Sequence, residues 1–160
     1  MNFIEEMKLK AKSSIKNIVL PEGSDIRTLQ AASIALQEEY ANITILGNIE
    51  EIQKMAKENN LNIEKATLIN PSESEKYEEY VQAFYELRKA KGITLEQARD
   101  IIKDETYFGM MMVKQGDGDG LVSGACHSTS NTLRPALQIL KTAPRNKISI
   151  SILYNGSTKL

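Results

Sequence analysis

Side chains that can bind an anion or move a proton are concentrated in one stretch, GACHSTSNTLRP, residues 124–135. It holds the only histidine of the chain, His127, and the only cysteine, Cys126, while Arg134 stands directly before a proline. The stretch also contains four hydroxyl side chains, those of Ser128, Thr129, Ser130 and Thr132. Hydroxyl, imidazole and guanidinium groups all donate hydrogen bonds to oxyanions. This stretch is therefore the first candidate for a functional site.

The local pattern places this stretch between a short strand and a helix. Thr132 is the predicted N-cap of that helix, and Pro135 lies in its predicted first turn. The start of a helix presents unpaired N–H groups and a partial positive charge, which favour an anion. Arg134 would add a planar fork that fits phosphate oxygens. Ordinary capping with a solvated Arg134 explains the same residues, and the sequence has no Walker-type lysine and no GxGxxG, so both interpretations stay open.

Two other patterns suggest different chemistry. In QGDGDG, residues 115–120, aspartates alternate with glycines, but Leu121 stands where a calcium loop needs a ligand, and no glutamate follows at the required spacing. A tight turn between a helix and a strand is the better interpretation. Cys126 and His127 are a poor candidate for a nucleophile–base pair, because the side chains of adjacent residues usually point apart. The chain has no second histidine for a zinc site, and we predict no metal.

A second group of cations lies in YELRKAKG, residues 85–92, at the end of a predicted helix. Lysine and arginine side chains in the last turn interact favourably with the helix C-terminus, so solvated cations are the ordinary explanation. The alternative is that Arg88, which lies near the apolar face of this helix, reaches into a cleft.

Predicted helices and strands alternate along the chain. Apolar spacing and caps predict helices over residues 3–13, 26–40, 48–59, 72–92 and 94–116 and a last one around Pro135. Short apolar runs predict strands at residues 18–20, 43–46, 66–70, 119–124 and 147–153. This alternation predicts an α/β fold, with three α/β/α layers and a mainly parallel sheet.

The composition limits the class of protein. A length of 160 residues suits one domain, and a hydrophobic fraction of 41% is enough for a core. The net charge of −1 gives no reason to expect a nucleic-acid or membrane partner. One cysteine excludes an internal disulfide and favours a reducing compartment. With no N-terminal run resembling a signal peptide and no 18-residue apolar segment, we predict a cytoplasmic protein.

At this point the residues resemble a known family. MMMVKQGDGDGLVSGACHSTSNTLRPALQILKT, residues 110–142, is similar to the signature stretch of phosphate acetyltransferases, a family that includes phosphate butyryltransferases. IVLPEGSDIRTLQAA and YELRKAKGITLEQARD match in the same order. The resemblance implies transfer of an acetyl group between coenzyme A and phosphate, with coenzyme A as a substrate and no cofactor. The signature follows the acetyl pattern more closely than the butyryl pattern.

The resemblance also implies roles for individual residues. Arg88 and Arg134 look like the catalytic arginines of the cleft, which bind substrate or stabilise transition-state charge. Residues 124–135, GACHSTSNTLRP, are called the signature loop below. Four of its residues look like ligands of the substrate or its phosphate, namely His127, Ser128, Thr129 and Thr132.

The chain departs from the family in length. Full-length members have two α/β domains around a cleft, and this chain resembles only the first, with residues 1–147 as an incomplete N-terminal domain and 148–160 as a divergent tail. We therefore predict an N-terminal half that is incomplete as an enzyme. The alternatives are a noncatalytic domain that binds phosphate or acyl phosphate or mediates an interaction, or butyryl-type specificity. A homodimer, or the missing second domain supplied in trans, could complete the cleft.

Overall fold

The computed structural model describes residues 2–142, which form seven helices and four strands. The strands are β1 (Lys16–Leu20), β2 (Ala41–Leu46), β3 (Thr67–Ile69) and β4 (Gly120–Leu121). The helices are α1 (Phe3–Ser13), α2 (Ile26–Gln37), α3 (Ile49–Glu58), α4 (Tyr77–Arg88), α5 (Leu95–Ile102), α6 (Glu105–Gln115) and α7 (Thr129–Ile139). The alternation predicted from the sequence is therefore confirmed over this part of the chain.

The four strands form one parallel sheet in the order β3-β2-β1-β4. Central strand β1 pairs with β2 along its whole length, and Val19 lies opposite Thr44 on one side and Leu121 on the other. Val19 is fully buried, as expected for a strand with neighbours on both sides and helices on both faces.

Two apolar cores lie on opposite faces of this sheet, because successive strand residues point in opposite directions. Leu20 and Ile45 face a core shared with α2 and α3. Their neighbours Val19 and Leu46 face a larger core that α4, α5, α6 and α7 cover. This arrangement confirms the predicted three-layer α/β/α fold with a parallel sheet.

Three helix starts differ from those predicted. Residues 94–116 form two helices, because the Asp104 carboxylate accepts hydrogen bonds from the N–H groups of Thr106 and Tyr107 and starts α6. The predicted start at Ser72 is wrong, since residues 71–73 form a separate 3-10 turn capped by Asn70. Helix α4 begins only at Tyr77.

The third difference concerns α7. The N-cap is Ser128, whose hydroxyl accepts a hydrogen bond from the N–H of Asn131 at 3.3 Å, so Thr132 is not the cap. Pro135 therefore lies inside the helix and not in its first turn. A proline there lacks an N–H, but its ring is buried and contributes apolar contact.

The remaining predictions concern the membrane and the last strand. No helix within residues 2–142 is long and apolar enough to cross a bilayer. The strand predicted at residues 147–153 and the tail predicted from residue 148 lie outside the described residues.

Candidate functional site

The connections between strands change direction at β1. The chain leaves β1 towards β2 and β3 on one side, and it returns to place β4 on the other side. In open parallel sheets, ligands bind at the carboxyl ends of the strands where the direction changes in this way. Here that crevice lies between the loop after β1, residues 21–25, and the loop after β4, residues 122–128.

A buried carboxylate occupies this crevice. Glu22, from the loop after β1, is 3% exposed, and its two oxygens accept hydrogen bonds from four consecutive backbone N–H groups. Oε2 accepts from residues 124 and 125 at 2.8 and 2.9 Å, and Oε1 accepts from residues 126 and 127 at 2.9 and 2.8 Å. The first half of the signature loop is therefore wrapped around an anion that the protein itself supplies.

The hydrogen bonds decide the ionisation of Glu22. Burial raises its pKa, but the four N–H donors lower it by more, and the net result is a pKa of about 2. Glu22 is thus ionised at any physiological pH. Because each carboxylate oxygen already accepts two hydrogen bonds, the backbone N–H groups of residues 124–127 are not available to a ligand.

A second tether holds the same loop. Asp25 caps α2 and forms an ion pair with Arg27, with 2.7 Å between Arg27 Nη2 and Asp25 Oδ2. The side-chain hydrogen bonds from Arg27 contribute most to lowering the pKa of Asp25 to about 2. Arg27 Nη2 also donates to the carbonyl of Ala125. The loop after β4 is therefore held by Glu22 from the loop after β1 and by Arg27 from the first turn of α2.

The loop after β1 needs a glycine at position 23, because there is no room for a side chain there. Its N–H donates to the carbonyl of Leu46 at 3.1 Å, and a Cβ on Gly23 would collide with that carbonyl oxygen and lie 2.7 Å from Ile52 Cδ1. We expect Gly23→Ala to lower the free energy of unfolding by about 2 kcal/mol. The matched control is Gly120→Ala, whose new Cβ would meet its nearest neighbour at 3.6 Å. Equal effects in urea denaturation of the two variants would contradict this account.

The second half of the signature loop remains accessible to a ligand. Ser128 and Thr129 are exposed at the start of α7, and the Ser128 hydroxyl lies 3.0 Å from that of Ser130. The N–H groups of Thr129 and Ser130 belong to the first turn of α7 and have no acceptor within the helix. Thr132 is turned the other way, and its hydroxyl pairs with that of Ser123 at 3.2 Å.

A small cavity of about 180 Å³ lies between the N-terminal halves of α6 and α7. His127, Asn131 and Arg134 contribute polar groups from the signature stretch, and Asp104 and Thr106 close the opposite wall. The ring of His127 is about one quarter exposed. Its Nδ1 lies 3.4 Å from Thr106 Oγ1.

A larger cavity of about 610 Å³ adjoins the first, since both are lined by Tyr107 and Arg134. Arg88, at the end of α4, lines this larger cavity, as does Lys91 from the following turn. Side chains from α4, α5, α6 and α7 therefore meet at one cleft. Three cationic side chains line it, opposed by the carboxylate of Asp100.

Tyr107 lines both cavities, as Arg134 does. Burial raises the pKa of its hydroxyl, while the positive charges of Arg134 and Arg88 act in the opposite direction. The hydroxyl donates to Gln138 Oε1 at 3.0 Å, which fixes the ring where the two cavities meet.

The structure thus brings some of the predicted residues together and separates others. Arg88 and Arg134 share the larger cavity, and Arg134 shares the smaller one with His127. Ser128 and Thr129 lie at the adjacent start of α7, whereas Thr132 lines neither cavity. The predicted roles of these residues remain predictions.

Sequence reasoning missed Glu22 and Tyr107. A signal for Glu22 is present in VLPEG, where a carboxylate follows a buried parallel strand directly, at the edge of the sheet where sites form. Tyr107 gives no such signal, since an aromatic residue at helical spacing looks like any core residue.

The loop is poorly suited to a metal ion or a thiolate. Ligand atoms of Glu22, Cys126 and His127 lie within 4.8 Å of one another. However, four N–H groups already occupy the acceptor positions of Glu22, so this set does not fit a metal. Burial and the charge of Glu22 raise the pKa of Cys126, which is the wrong direction for a nucleophile.

The QGDGDG segment, residues 115–120, forms the turn expected of it. Gly116 ends α6 in the left-handed conformation. Asp117 accepts a hydrogen bond from the buried hydroxyl of Tyr80, and Asp119 Oδ2 accepts from the N–H of Asn17 at 2.7 Å. Both carboxylates therefore stabilise the fold around β4.

Together, the fold and the site define a class of protein: an α/β domain with a parallel sheet and an arginine-lined cleft among α4, α5, α6 and α7. The family described as "Phosphate acetyl/butaryl transferase" matches residues 2–158. The chain belongs to this phosphate acetyl/butyryl transferase family.

Relatives and solved structures agree with this assignment. The chain is 56% identical to a phosphate acetyltransferase of Thermoanaerobacterium thermosaccharolyticum and 49% identical to one of Acetivibrio thermocellus. Each match covers 92% of this chain and 44% of the relative. The EutD phosphotransacetylase from Staphylococcus aureus superposes with a TM-score of 0.82 at 44% identity, over 91% of this chain and 45% of that one. A phosphotransacetylase from Streptococcus pyogenes gives 0.84 at 40% identity, over 90% of this chain and 44% of that one. The chain spans less than half the length of these proteins.

Proposed function

We propose that this chain forms the phosphoryl-binding part of a phosphate acetyltransferase, which interconverts acetyl-coenzyme A and phosphate with coenzyme A and acetyl phosphate. The observation that carries the proposal is that Arg88 and Arg134, from helices far apart in the sequence, line one cavity. Planar guanidinium groups match the geometry of phosphoryl oxygens and can bind them with two parallel hydrogen bonds. The relatives named phosphate acetyltransferase support the same assignment.

In the proposed reaction, the thiolate of coenzyme A attacks the carbonyl carbon of acetyl phosphate. A carbon–sulfur bond forms, and the bond between the carbonyl carbon and the oxygen that bridges it to phosphorus breaks. Phosphate leaves with the bonding electron pair. Arg88 and Arg134 would hold the phosphoryl oxygens and offset the charge that collects on them. The hydroxyl groups of Ser128 and Thr129 would add neutral donors at the start of α7. Coenzyme A enters as a substrate, and the proposed setting is the cytoplasm.

A second candidate function is a noncatalytic domain that binds phosphate or acyl phosphate. The observation that favours it is that the chain, which forms the cleft lined by Arg88 and Arg134, covers only 44% of the length of two relatives named phosphate acetyltransferase. Self-association, or a second domain supplied in trans, could complete that cleft and restore the catalytic function.

A direct assay separates the two candidates. Purified chain is mixed with acetyl phosphate and coenzyme A, and the thioester absorbance is followed over time. If the chain completes its cleft by self-association, turnover should be saturable, fall in Arg134→Ala and persist in Cys126→Ala, because coenzyme A supplies the reacting thiol. Phosphate binding without turnover would instead support the noncatalytic domain. Loss of turnover in a folded Cys126→Ala variant would contradict the proposed mechanism.

A further inference from the structure

Helix α1 lies outside both apolar cores of the described residues. Every residue of this helix except Ala11 is exposed, and Phe3 is 74% exposed. Lys8 ties the helix to the domain, since its Nζ lies 5.4 Å from the centre of the Tyr40 ring. An isolated helix of 11 residues is only marginally stable in water, even with a capping box at its start. Such a helix gains stability when its apolar face is covered.

One side of α1 forms an apolar groove of about 430 Å³. Residues 3, 7 and 11 are four positions apart, so they lie one above the other on the same face of the helix. Exposed apolar surface that is continuous in this way marks an interaction site. The groove is lined by Phe3, Ile4, Met7, Lys8, Ala11 and Tyr40.

The charges of α1 are separated along its length. Glu5 and Glu6 lie in its first turn, and Lys10 and Lys12 lie in its last turn. A second copy of α1 in the antiparallel direction would bring the acidic end of each helix beside the basic end of the other. A parallel copy would bring like charges together. The opposed helix dipoles also favour the antiparallel direction.

The apolar side chains fit the same arrangement. Phe3 and Ala11 are equally far from Met7 along the chain, so a two-fold axis at Met7 places each Phe3 opposite Ala11 of the second copy. A large side chain then packs against a small one on both sides of a central Met7 pair. At the border of this face, Glu6 comes within reach of Lys10 of the second copy. The helix is therefore complementary to itself in both shape and charge.

We propose that two copies of this chain associate through the apolar faces of α1, as an antiparallel pair with two-fold symmetry. This pairing is independent of the proposed function, because no α1 residue lines the cavity that Arg88 and Arg134 share. Eleven residues at about 1.5 Å each make a contact only about 16 Å long. A contact of this length is small for a protein interface, so the dimer is weak and reversible.

Sedimentation of the complete chain at increasing concentration measures the association. We expect monomer at about 1 μM and an equilibrium of monomer and dimer above about 100 μM, as suits a small interface. Met7→Glu should raise the dissociation constant at least about tenfold, because it places two carboxylates side by side in the apolar centre. Circular dichroism checks that the variant stays folded, and Met7 is exposed and outside both cores.

The matched control is Leu9→Glu, which adds the same charge to the same helix. Leu9 is 54% exposed, and its position two residues after Met7 places it on the opposite side of α1. Its dissociation constant should stay within about twofold of the wild type. Equal effects of the two substitutions would overturn the proposal. A chain that stays monomeric at every concentration would also overturn it and assign the groove to another occupant.

Cysteine cross-linking tests the direction of the pair. Cys126 is the only cysteine of the chain, so Cys126→Ala provides a background without thiols. On mild oxidation, Met7→Cys should form a linked dimer and Leu9→Cys should not. A mixture of Phe3→Cys and Ala11→Cys chains should link to each other and not to themselves, because Cα atoms more than about 7 Å apart cannot be bridged. A linked Phe3→Cys homodimer would show a parallel pair and overturn the proposal.

A lipid surface is the other partner that an amphipathic helix with several lysines could bind. The acidic first turn of α1 disfavours an anionic surface. Vesicles containing about 30% phosphatidylserine are the probe, and we expect no cosedimentation of the chain with them. Vesicle binding that Met7→Glu abolishes, by a chain that remains monomeric, would overturn the proposal and assign this face of α1 to a membrane.

Discussion

Replacing Glu22 by glutamine is expected to lower the free energy of unfolding by about 3 kcal/mol at pH 7. The change is nearly isosteric, but it removes the charge and turns an NH₂ group towards two backbone N–H donors that need an acceptor. The magnitude follows from the pKa of Glu22, which lies at about 2 in the folded protein against an ordinary value of 4.5. Equilibrium denaturation in urea measures the loss.

The pH dependence provides a sharper form of the same prediction. The pKa of Glu22 is lower in the folded state than in the unfolded one, so its contribution to stability is complete above about pH 4.5 and is lost as the pH falls towards 2. The difference in stability between wild type and Glu22→Gln should therefore be largest near neutrality and shrink steadily below pH 4.5. Asp25, whose pKa is also about 2, is present in both proteins and cancels in the difference.

A matched control separates this effect from a general loss of negative charge. Glu38 is an exposed carboxylate at the end of α2, and Glu38→Gln should change the free energy of unfolding by less than about 0.5 kcal/mol. If Glu22→Gln were as mild as Glu38→Gln, or if its effect did not change between pH 7 and pH 3, the four hydrogen bonds would not be the source of stability.

The sequence predicted the layers of this fold because each layer has a local signal. Strands β1, β2 and β3 are short apolar runs, and buried parallel strands need little more than that. The caps at Asn48 and Thr94 also form as predicted, since a capping hydrogen bond joins residues three positions apart.

The wrong helix starts have two physical causes. At α7 more than one hydroxyl residue can act as the cap, and the choice depends on tertiary contacts that the sequence does not display. Ser128 starts α7 in place of Thr132, whose hydroxyl pairs with Ser123 across the loop after β4. Asp104 interrupts an apolar pattern that would otherwise continue through α5 and α6.

The candidate site shows the same difference between features with a local sequence signal and features that depend on tertiary contacts. The hydroxyl-rich loop could be recognised because its polar residues are contiguous. Its main structural partner, Glu22, is about one hundred positions earlier in the chain, and only the crossing of the loops after β1 and β4 brings them together. Residue types alone therefore indicate an anion site here without showing that an internal carboxylate already fills half of it.

The largest expected effect on ligand binding comes from replacing Arg88 or Arg134. Each of the substitutions Arg88→Ala and Arg134→Ala should weaken binding of phosphate or acetyl phosphate by about 1.5–3 kcal/mol, because each removes a charge-assisted partner of the phosphoryl group. The control is Arg99→Ala, since Arg99 lies on α5, is bound to Glu78 and does not line the cavity. Its effect on affinity should be close to zero.

The double variant tests whether Arg88 and Arg134 act on the same group. Two arginines that hold one phosphoryl dianion depend on each other to position it, so the loss of affinity in the double variant should fall short of the sum of the single losses by more than about 0.5 kcal/mol. Strict additivity would place the two guanidinium groups on separate parts of the ligand. An unchanged affinity in either single variant with an intact fold would remove that arginine from the site. Either result would move the phosphoryl group away from the shared cavity and towards the start of α7, where Ser128 and Thr129 lie.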